Sequence, residues 1–281
     1  MRRILLAVYR VRAILYAVGA VLLLVGVVAG ILALGEAVRQ LRLIAIFAGL
    51  GLLALSLLLI LLGARVIPDR QPLTVSTPVR GRWMGLNSPA SAVPSHGVRL
   101  YGQAYAIDLI HAPEGEPRPE FGGGSTWRAP AEYPAFGRPV LSMVDGIVVT
   151  AVGRHRDHRA RSGALSLVYM IAEGAVREIG GPQFVIGNHV VIRTDDGVFA
   201  MVAHLRKGSL RVRVGDVVRA GDPIGDCGNS GNSSEPHVHA QLMDRRSPLT
   251  GQGIPMAFAD IEVEGERRVS GMPANGEHLT A

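Results

Sequence analysis

Hydrophobic residues are spread unevenly along this chain. Residues 13–35 and residues 43–64 carry no charged side chain and consist largely of Leu, Val, Ala, Ile and Gly. At 1.5 Å of rise per residue, each stretch spans about 33 Å as a helix, enough to cross a hydrocarbon core of about 30 Å. The pattern predicts a transmembrane hairpin over residues 13–64, with the charged residues 36–42 as its short connection.

After residue 78 the pattern changes to short β-type runs separated by Gly, Pro, Asn and Asp. Strands are predicted over residues 140–144, 146–152, 189–194, 198–203 and 211–214. Asp145-Gly146 and Asp195-Asp196-Gly197 are turn signals, and the second reads as a hairpin. Several short strands with such turns predict a mostly antiparallel β domain over residues 79–262.

The remaining segments are short. Residues 1–12 form a basic flank, and residues 65–78 are a linker that contains Pro, Thr and Ser. Residues 263–281 are polar and are expected to be loosely ordered. Residues 114–134 are rich in Gly, Pro and Glu, which indicates a surface loop. Residues 165–179 fit either a helix or an inserted pair of strands.

An alternating stretch follows the Gly/Asn/Ser-rich loop of residues 228–233. Successive side chains of a strand point to opposite faces, so His237, His239 and Gln241 share one face. The opposite face carries the apolar side chains of Val238, Ala240 and Leu242. Two imidazoles held side by side on a strand suit a zinc site, where one binds the metal and its neighbour handles a proton.

The formal net charge of +6 is concentrated in the hydrophobic part. Residues 1–72 contain eight arginines and two acidic residues, which leaves 21 of the 29 basic and 21 of the 23 acidic residues for the remainder. The charge therefore indicates a lipid membrane as partner and gives no support to nucleic-acid binding. Cys227 is the one cysteine, which excludes an intrachain disulfide and a thiolate zinc cluster.

Several motifs stand in a fixed order with the His-x-His stretch. They are Val202-Ala203-His204-Leu205, then the turn from Val214 to Gly225, then Gly228-Asn229-Ser230-Gly231 and Pro236-His237-Val238-His239. With the segment from Gly137 to Val149, this order resembles the lysostaphin-like zinc endopeptidases, which cut peptidoglycan peptides. The resemblance covers roughly residues 79–242. It implies the lysostaphin-like peptidase fold for the β domain.

The resemblance also implies roles for individual residues. His239 is expected to be a zinc ligand, and Asp108 matches the family's carboxylate ligand. His204 and His237 match the catalytic imidazoles near the reacting carbonyl. Three protein ligands would leave one zinc position for water, whose pKa the metal lowers to about 7.

This chain departs from the family pattern at one position. A histidine usually stands four residues before the aspartate, and that position is Ala104. In one interpretation the site is degenerate and holds zinc weakly or not at all. In the other, His96 takes its place, as in a sub-branch of these peptidases where the first histidine lies about a dozen residues before the aspartate.

The predicted function is therefore a membrane-anchored zinc endopeptidase that hydrolyses peptidoglycan peptides. The alternative is a metal-free, degenerate module that binds peptidoglycan or activates a partner hydrolase. A third hypothesis is a membrane-embedded structural protein, in which changing the histidines has no effect. Metal content separates the first two.

Membrane orientation follows from two conflicting arguments. Peptidoglycan lies outside the membrane, which predicts an extracytoplasmic β domain. The arginines flanking the hairpin predict by the positive-inside rule that both termini are cytoplasmic. We expect the extracytoplasmic side, because the site chemistry is more specific than a charge count.

Other side chains carry weaker expectations. His189 is expected to be structural or at the cleft rim, and His155 and His158 to lie in a solvated charged loop. His111 and His278 are expected to be exposed.

Overall fold

The computed structural model describes residues 2–32, 35–63, 67 and 70–281. These residues form two compact units that divide between Asp69 and Arg70. The first unit contains three helices: α1 (Arg2–Arg10), α2 (Arg12–Ile31) and α3 (Glu36–Gly63). By length and composition, α2 and the part of α3 from Val38 to Gly63 could each cross a membrane.

Small residues let α2 and α3 pack closely. A Cβ atom added at Gly19 would lie 3.0 Å from the carbonyl oxygen of Gly49, and one added at Gly49 would lie 2.8 Å from that of Gly19. The backbones thus approach at a distance that a side chain would prevent. At the same end of the pair, Arg12 is buried and its carbonyl oxygen accepts a hydrogen bond from Ser56 Oγ at 2.9 Å.

The helices differ from the predicted hairpin at their ends. The predicted connection, residues 36–42, is helical and forms the first two turns of α3. Its Glu, Ala, Arg, Gln and Leu residues are good helix formers, so charge alone does not end the helix. The predicted flank of residues 1–12 contains α1. Residues 33, 34, 64–66, 68 and 69, which fall within the predicted spans and linker, lie outside the described residues.

The second unit is built mainly of strands. The first eight are β1 (Leu73–Val75), β2 (Arg82–Leu86), β3 (Ile107–His111), β4 (Trp127–Arg128), β5 (Pro139–Leu141), β6 (Gly146–Val152), β7 (Ala160–Arg161) and β8 (His189–Arg193). The others are β9 (Phe199–Ala203), β10 (Val217–Val218), β11 (Pro223–Asp226), β12 (Val238–Met243), β13 (Gly253–Ile254), β14 (Met256–Val263), β15 (Glu266–Gly271) and β16 (His278–Thr280). Two helices, α4 (Ala164–Ile179) and α5 (Pro182–Ile186), lie between β7 and β8.

One large sheet dominates this unit. Its strand order is β1-β14-β16-β2-β3-β12-β9-β8-β6-β10, with β13 paired to β12 and β15 to β14. Among the described residues, β1 and β14 pair in parallel and the other strand pairs are antiparallel. The predicted fold class, two apolar N-terminal helices followed by a mostly antiparallel β domain, is confirmed.

Both ends of the predicted β domain extend further than expected. Leu73–Val75, inside the predicted linker, forms β1 beside β14. The prediction of a loosely ordered tail is wrong. The tail forms β15 and β16, and β16 lies between β14 and β2. Leu279 is fully buried there. Pairing with strands that are distant in the chain orders these segments, and no local pattern reveals such pairing.

The structure settles one ambiguous prediction and contradicts another. The ambiguous residues 165–179 form helix α4. The predicted strand over residues 211–214 is absent, and this described stretch leads into a turn in which Arg213 N–H donates to Asp216 Oδ2 at 2.9 Å. The short strands β10 and β11 follow it.

The central strands β3, β12, β9 and β8 are covered on both faces. One face packs the main core, which includes Leu109, Val202 and Leu242. The other face carries a smaller cluster with Met201 and Ala203. The polar side chains of β3 and β12 gather on this second face, beside the smaller cluster.

Candidate metal centre

Asp108 and His239 meet because their strands are in register. Asp108 is on β3 and His239 is on β12, and the two residues are direct antiparallel partners. Directly opposed side chains lie on the same face of a sheet. The Nδ1 atom of His239 lies 2.9 Å from Asp108 Oδ1, and both residues are buried. The predicted alternation of β12 therefore delivers His239 to the carboxylate.

His96 reaches the same carboxylate from a loop. Its Nε2 atom lies 3.2 Å from Asp108 Oδ2. The loop is held by Ser95, whose N–H donates to the carbonyl oxygen of Ala104 and whose hydroxyl donates to that of Ala106 at 2.7 Å. Ala104 itself is buried beneath this loop. The position that lacks the usual histidine thus supports the segment that carries His96.

These three residues form a compact donor set. One ligand atom from each of His96, Asp108 and His239 lies within 4.8 Å of the other two. Two imidazoles and one carboxylate are the donor types of catalytic zinc sites. The donor set therefore fits zinc in number and in chemistry.

Four side chains surround the Asp108 carboxylate. Besides the contacts from His96 and His239, Asn87 Nδ2 donates to Oδ2 at 2.7 Å, and His237 Nε2 lies 3.6 Å from Oδ1. Burial alone would raise the pKa of Asp108. The charges of His237 and His96 and the hydrogen bonds from His239 outweigh it and hold that pKa well below its usual range. The carboxylate is thus kept ionised, as a metal ligand must be.

Asn87 was not singled out as a site residue from the sequence. It has a left-handed backbone with a φ of 46°, which Asn tolerates better than most residues. Its position in Asn87-Ser88-Pro89 was the only local signal, and that signal indicates a turn without indicating what the amide contacts.

His239 has a defined ring orientation. Its Nε2 atom lies 2.8 Å from Gln241 Oε1, while Gln241 Nε2 donates to the carbonyl oxygen of Tyr101 at 2.9 Å. Because the Gln241 amide nitrogen is engaged by Tyr101, its oxygen faces His239 and accepts the Nε2 proton. The Nδ1 atom faces the ionised Asp108 carboxylate and donates to it. Burial alone would lower the pKa of His239, but the hydrogen bond and the charge of Asp108 outweigh it and raise that pKa.

In His204 and His237, unlike His239, the Nδ1 atom is bound to a backbone carbonyl oxygen. The Nδ1 atom of His204 lies 2.8 Å from the carbonyl oxygen of Ser230, and that of His237 lies 2.8 Å from the carbonyl oxygen of Glu235. A carbonyl oxygen can only accept a hydrogen bond, so Nδ1 carries a proton in both rings. In the neutral form of each ring, Nε2 is the acceptor. The two ring centroids are 4.7 Å apart.

The electrostatic environment keeps His204 neutral. Burial, reinforced by the charges of His237 and His239, lowers the pKa of His204 well below its usual value. His204 also has a left-handed backbone with a φ of 60° directly after β9. This conformation is uncommon for a residue other than Gly, and such strain concentrates at functional sites.

The five predicted site residues line one cleft of about 340 Å³. Its other walls include the segment of residues 98–103, the loop of residues 232–234, Met170 and Glu178 of α4, and residues of α5 and β9. The structure thus brings all five predicted residues together.

The remaining histidines lie elsewhere in the described domain. His111, expected to be exposed, is instead buried against Trp83 with ring centroids 4.8 Å apart. His158, expected in a solvated loop, is buried and its Nε2 lies 2.8 Å from the Gly231 carbonyl oxygen. It therefore supports the Gly/Asn/Ser loop. His189 is buried on β8 with Nδ1 2.8 Å from the Gly187 carbonyl oxygen, which fits the structural expectation.

Comparison with known proteins bears on the same stretch. The model of peptidase family M23 matches residues 154–250. This range contains His204, His237 and His239 and ends well after the His-x-His strand. It begins after His96 and Asp108.

Two curated relatives are similar over part of this chain. Glycyl-glycine endopeptidase ALE-1 of Staphylococcus capitis is 34% identical over 110 residues, which cover 39% of this chain and 30% of the relative. Lysostaphin of Staphylococcus simulans is 39% identical over 92 residues, which cover 32% of this chain and 18% of the relative. The chain thus matches less than a third of the length of either relative.

A solved structure is similar at low identity. The catalytic domain of lysostaphin from Staphylococcus simulans aligns with 62% of this chain and 88% of its own length, at 20% identity and a TM-score of 0.34. Over residues 154–250 this chain is similar to peptidase family M23, and over part of its length it is similar to ALE-1 and to lysostaphin.

Proposed function

We propose that this chain is a membrane-anchored zinc endopeptidase that hydrolyses peptide bonds in peptidoglycan. The observation that carries the proposal is the convergence of His96, Asp108 and His239 at one point of the cleft. The match to peptidase family M23 over residues 154–250 supports a hydrolase. Of the two relatives, one is named a glycyl-glycine endopeptidase and the other is lysostaphin. His96 would supply the ligand that Ala104 does not.

In this proposal His96 Nε2, Asp108 and His239 Nδ1 would hold zinc. A bound zinc ion supplies Lewis acidity for the peptide carbonyl and lowers the pKa of a water molecule. Asn87 keeps one carboxylate oxygen oriented through its 2.7 Å hydrogen bond. Gln241 accepts the Nε2 proton of His239, so Nδ1 is the nitrogen from which zinc would displace a proton.

His204 and His237 move the proton. Water forms the new C–O bond as its proton passes to Nε2 of one of these rings. The peptide C–N bond then breaks, and that imidazolium donates the proton to the departing amine. The second ring, when protonated, stabilises the negative charge on the carbonyl oxygen. Hydrogen bonds to Ser230 and Glu235 carbonyls keep both Nε2 atoms directed into the cleft.

Membrane attachment is the second part of the proposal. The apolar surfaces of α2 and α3 are largely exposed in the described residues, including Val21, Phe47 and Leu61. A bilayer would cover them. Peptidoglycan as substrate requires the β domain on the extracytoplasmic side.

The test uses the full chain purified in detergent and purified peptidoglycan. We expect about one zinc per chain and release of new amino groups from peptidoglycan. Chelation should stop the release and added zinc should restore it. His204→Ala should retain zinc and lose the activity.

The binding-module alternative gives a different result. A chain that sediments with peptidoglycan but holds no zinc, and regains none on dialysis against zinc, would contradict the enzyme proposal. A chain that holds zinc yet cuts no wall peptide would contradict it as well.

A further inference from the structure

Helix α4 has its polar and apolar faces reversed relative to an ordinary surface helix. Its outward stripe, here called the α4 stripe, consists of Leu165, Val168, Tyr169, Ile171, Ala172, Ala175 and Val176. Leu165, Val168, Ile171 and Val176 are each 64–74% exposed. A surface helix normally turns such a stripe toward the core.

The inward face of α4 carries the polar and small residues. Ser166 is fully buried, and its hydroxyl donates to the Gly163 carbonyl oxygen at 2.8 Å. Glu173 forms ion pairs with Arg161 and, at 2.8 Å, with Arg177. Gly174 lies against Asn232, where an added Cβ would be 3.0 Å from the amide nitrogen. These contacts fix the rotation of the helix, so the α4 stripe cannot turn inward.

No charged residue lies on the α4 stripe between Leu165 and Val176. Of the two carboxylates of the helix, Glu173 is in its ion pairs, and Glu178 follows the stripe at the C-terminal end and lines the cleft. A contiguous apolar surface of this kind on a folded domain marks a site of contact with another apolar phase.

A basic loop lies beside α5, the helix that follows α4. Arg154, Arg156 and Arg159 are exposed in this loop, here called the arginine loop. Arg154 Nη2 lies 3.4 Å from Gln183 Oε1 of α5. The loop's acid, Asp157, is turned inward and accepts from the backbone N–H groups of Asn229 and Lys207. The loop therefore offers positive charge to an acidic partner.

The short segment between α3 and β1 limits how far the β domain can lie from the membrane that α3 would cross. Leu73 of β1 follows Gly63 of α3 by ten residues, which span at most about 36 Å when fully extended. If α3 crosses a membrane, the β domain stays within that reach of the lipid surface. The arginine loop is connected to α4 through α5, because Arg177 Nη1 of α4 donates to the Phe184 carbonyl oxygen of α5 at 3.1 Å. An apolar helix face with arginines on a neighbouring element is typical of surfaces that bind anionic bilayers.

We propose that the α4 stripe and the arginine loop dock on the anionic lipid bilayer to which the chain is anchored. This inference rests on the membrane attachment proposed above. The stripe enters the interface between headgroups and acyl chains, and the arginines contact anionic headgroups. Because α4 also contributes Met170 and Glu178 to the cleft wall, docking holds the cleft next to the membrane.

The experiment uses the full chain in proteoliposomes of phosphatidylcholine and phosphatidylglycerol. Val168→Cys is labelled with an environment-sensitive fluorophore, and lipids carrying nitroxides on the acyl chain act as quenchers. The native Cys227 is fully buried, so the label reports the introduced thiol. Val269→Cys is the matched control, since Val269 is a valine on β15, outside the α4 stripe, that is more exposed (81%) than Val168 (64%).

We expect quenching at residue 168 to exceed that at residue 269 several-fold. Replacing Arg154, Arg156 and Arg159 together with Gln should reduce it, as should phosphatidylcholine alone. Equal quenching at both positions would overturn the docking proposal. So would self-quenching at residue 168 that rises with protein density, which would indicate contact between copies of the chain.

Extraction separates this proposal from membrane attachment. A chain that resists carbonate extraction but shows no quenching at residue 168 retains its anchor and lacks the docking surface. A chain released by carbonate loses both.

Discussion

At the residue scale, identical side chains two positions apart carry different nitrogens into the cleft. His239 faces Asp108 with Nδ1, while His237 is held at Nδ1 by the Glu235 carbonyl and faces the cleft with Nε2. The neighbours of each ring set this difference, and the strand alternation is the same for both. It predicts that one ring holds metal and the other handles a proton.

The first prediction follows from that difference. His239→Ala should give an inactive chain depleted of zinc, because a ligand is lost. His237→Ala should keep its zinc and lose about 10²–10⁴ in rate, the usual effect of removing a proton-transfer group. Metal analysis and peptidoglycan cleavage on the same samples check this. Loss of zinc from His237→Ala alone would reverse the assignment.

The second prediction concerns His96. His96→Ala should weaken zinc binding by more than the ~10–100-fold typical of losing an outer partner of a metal ligand. Competition with a fluorescent zinc chelator measures the affinity. His278→Ala is the control, because His278 is a half-buried histidine on β16 that contacts Glu264 and does not line the cleft. Equal affinity in both variants would favour the degenerate interpretation based on Ala104.

The third prediction concerns Gln241, whose amide fixes the proton of His239 on Nε2. Gln241→Leu removes that acceptor and should lower zinc affinity about 10–100-fold. Gln241→Glu supplies a carboxylate acceptor and should bind zinc more tightly than the Leu variant. With cobalt in place of zinc, the visible absorption spectrum of Gln241→Leu should differ more from that of the parent protein than the spectrum of Gln241→Glu does. Matching affinity in the Leu and Glu variants would exclude a positioning role.

At the element scale, glycines determine how closely α2 and α3 pack. Gly19 and Gly49 approach each other backbone to backbone, whereas an added Cβ at Gly51 would meet nothing within 4 Å. In a bilayer such close contact is a main source of helix association. One glycine of α3 therefore contributes to packing and its neighbour two residues away does not.

This contrast gives the fourth prediction. Gly49→Leu should destabilise the helical unit by about 1–3 kcal/mol, the usual cost of overpacking. Gly51→Leu should leave it unchanged. Loss of helical signal during titration of the detergent-solubilised chain with sodium dodecyl sulfate measures the effect. Equal midpoints for the two variants would contradict the packing described here.

At the scale of the whole molecule, charge and chemistry disagree about orientation. The arginines that flank the apolar helices favour cytoplasmic termini, whereas the proposed substrate lies outside the membrane. The histidine cleft requires a specific set of five side chains, and flanking arginines require only positive charge. The cleft is the stronger argument.

The fifth prediction follows from the cleft. Protease added to intact spheroplasts should remove the β domain and leave the apolar helices in the membrane. A cytoplasmic reporter protein that stays uncut in the same samples is the control. Digestion only after lysis would place the β domain in the cytoplasm and would contradict the proposed substrate.

Local patterns were sufficient for several features of this protein. Apolar runs of more than twenty residues determine helices long enough for a bilayer, since length and hydropathy are properties of the run itself. The alternation from His237 to Leu242 likewise determined which side chains of β12 share a face. The order of the motifs determined the resemblance to lysostaphin-like peptidases.

Only the tertiary structure decided the rest, because it depends on contacts between distant residues. Strand alternation after Ala203 would send His204 to the opposite face, and its left-handed backbone returns the ring to the cleft. The fold of a loop onto β3 brings His96 to 3.2 Å from Asp108. The polar tail became strands because β2 and β14 offered unpaired edges. The inward face of α4 is occupied by the polar contacts of Ser166 and Glu173, so its apolar stripe faces outward.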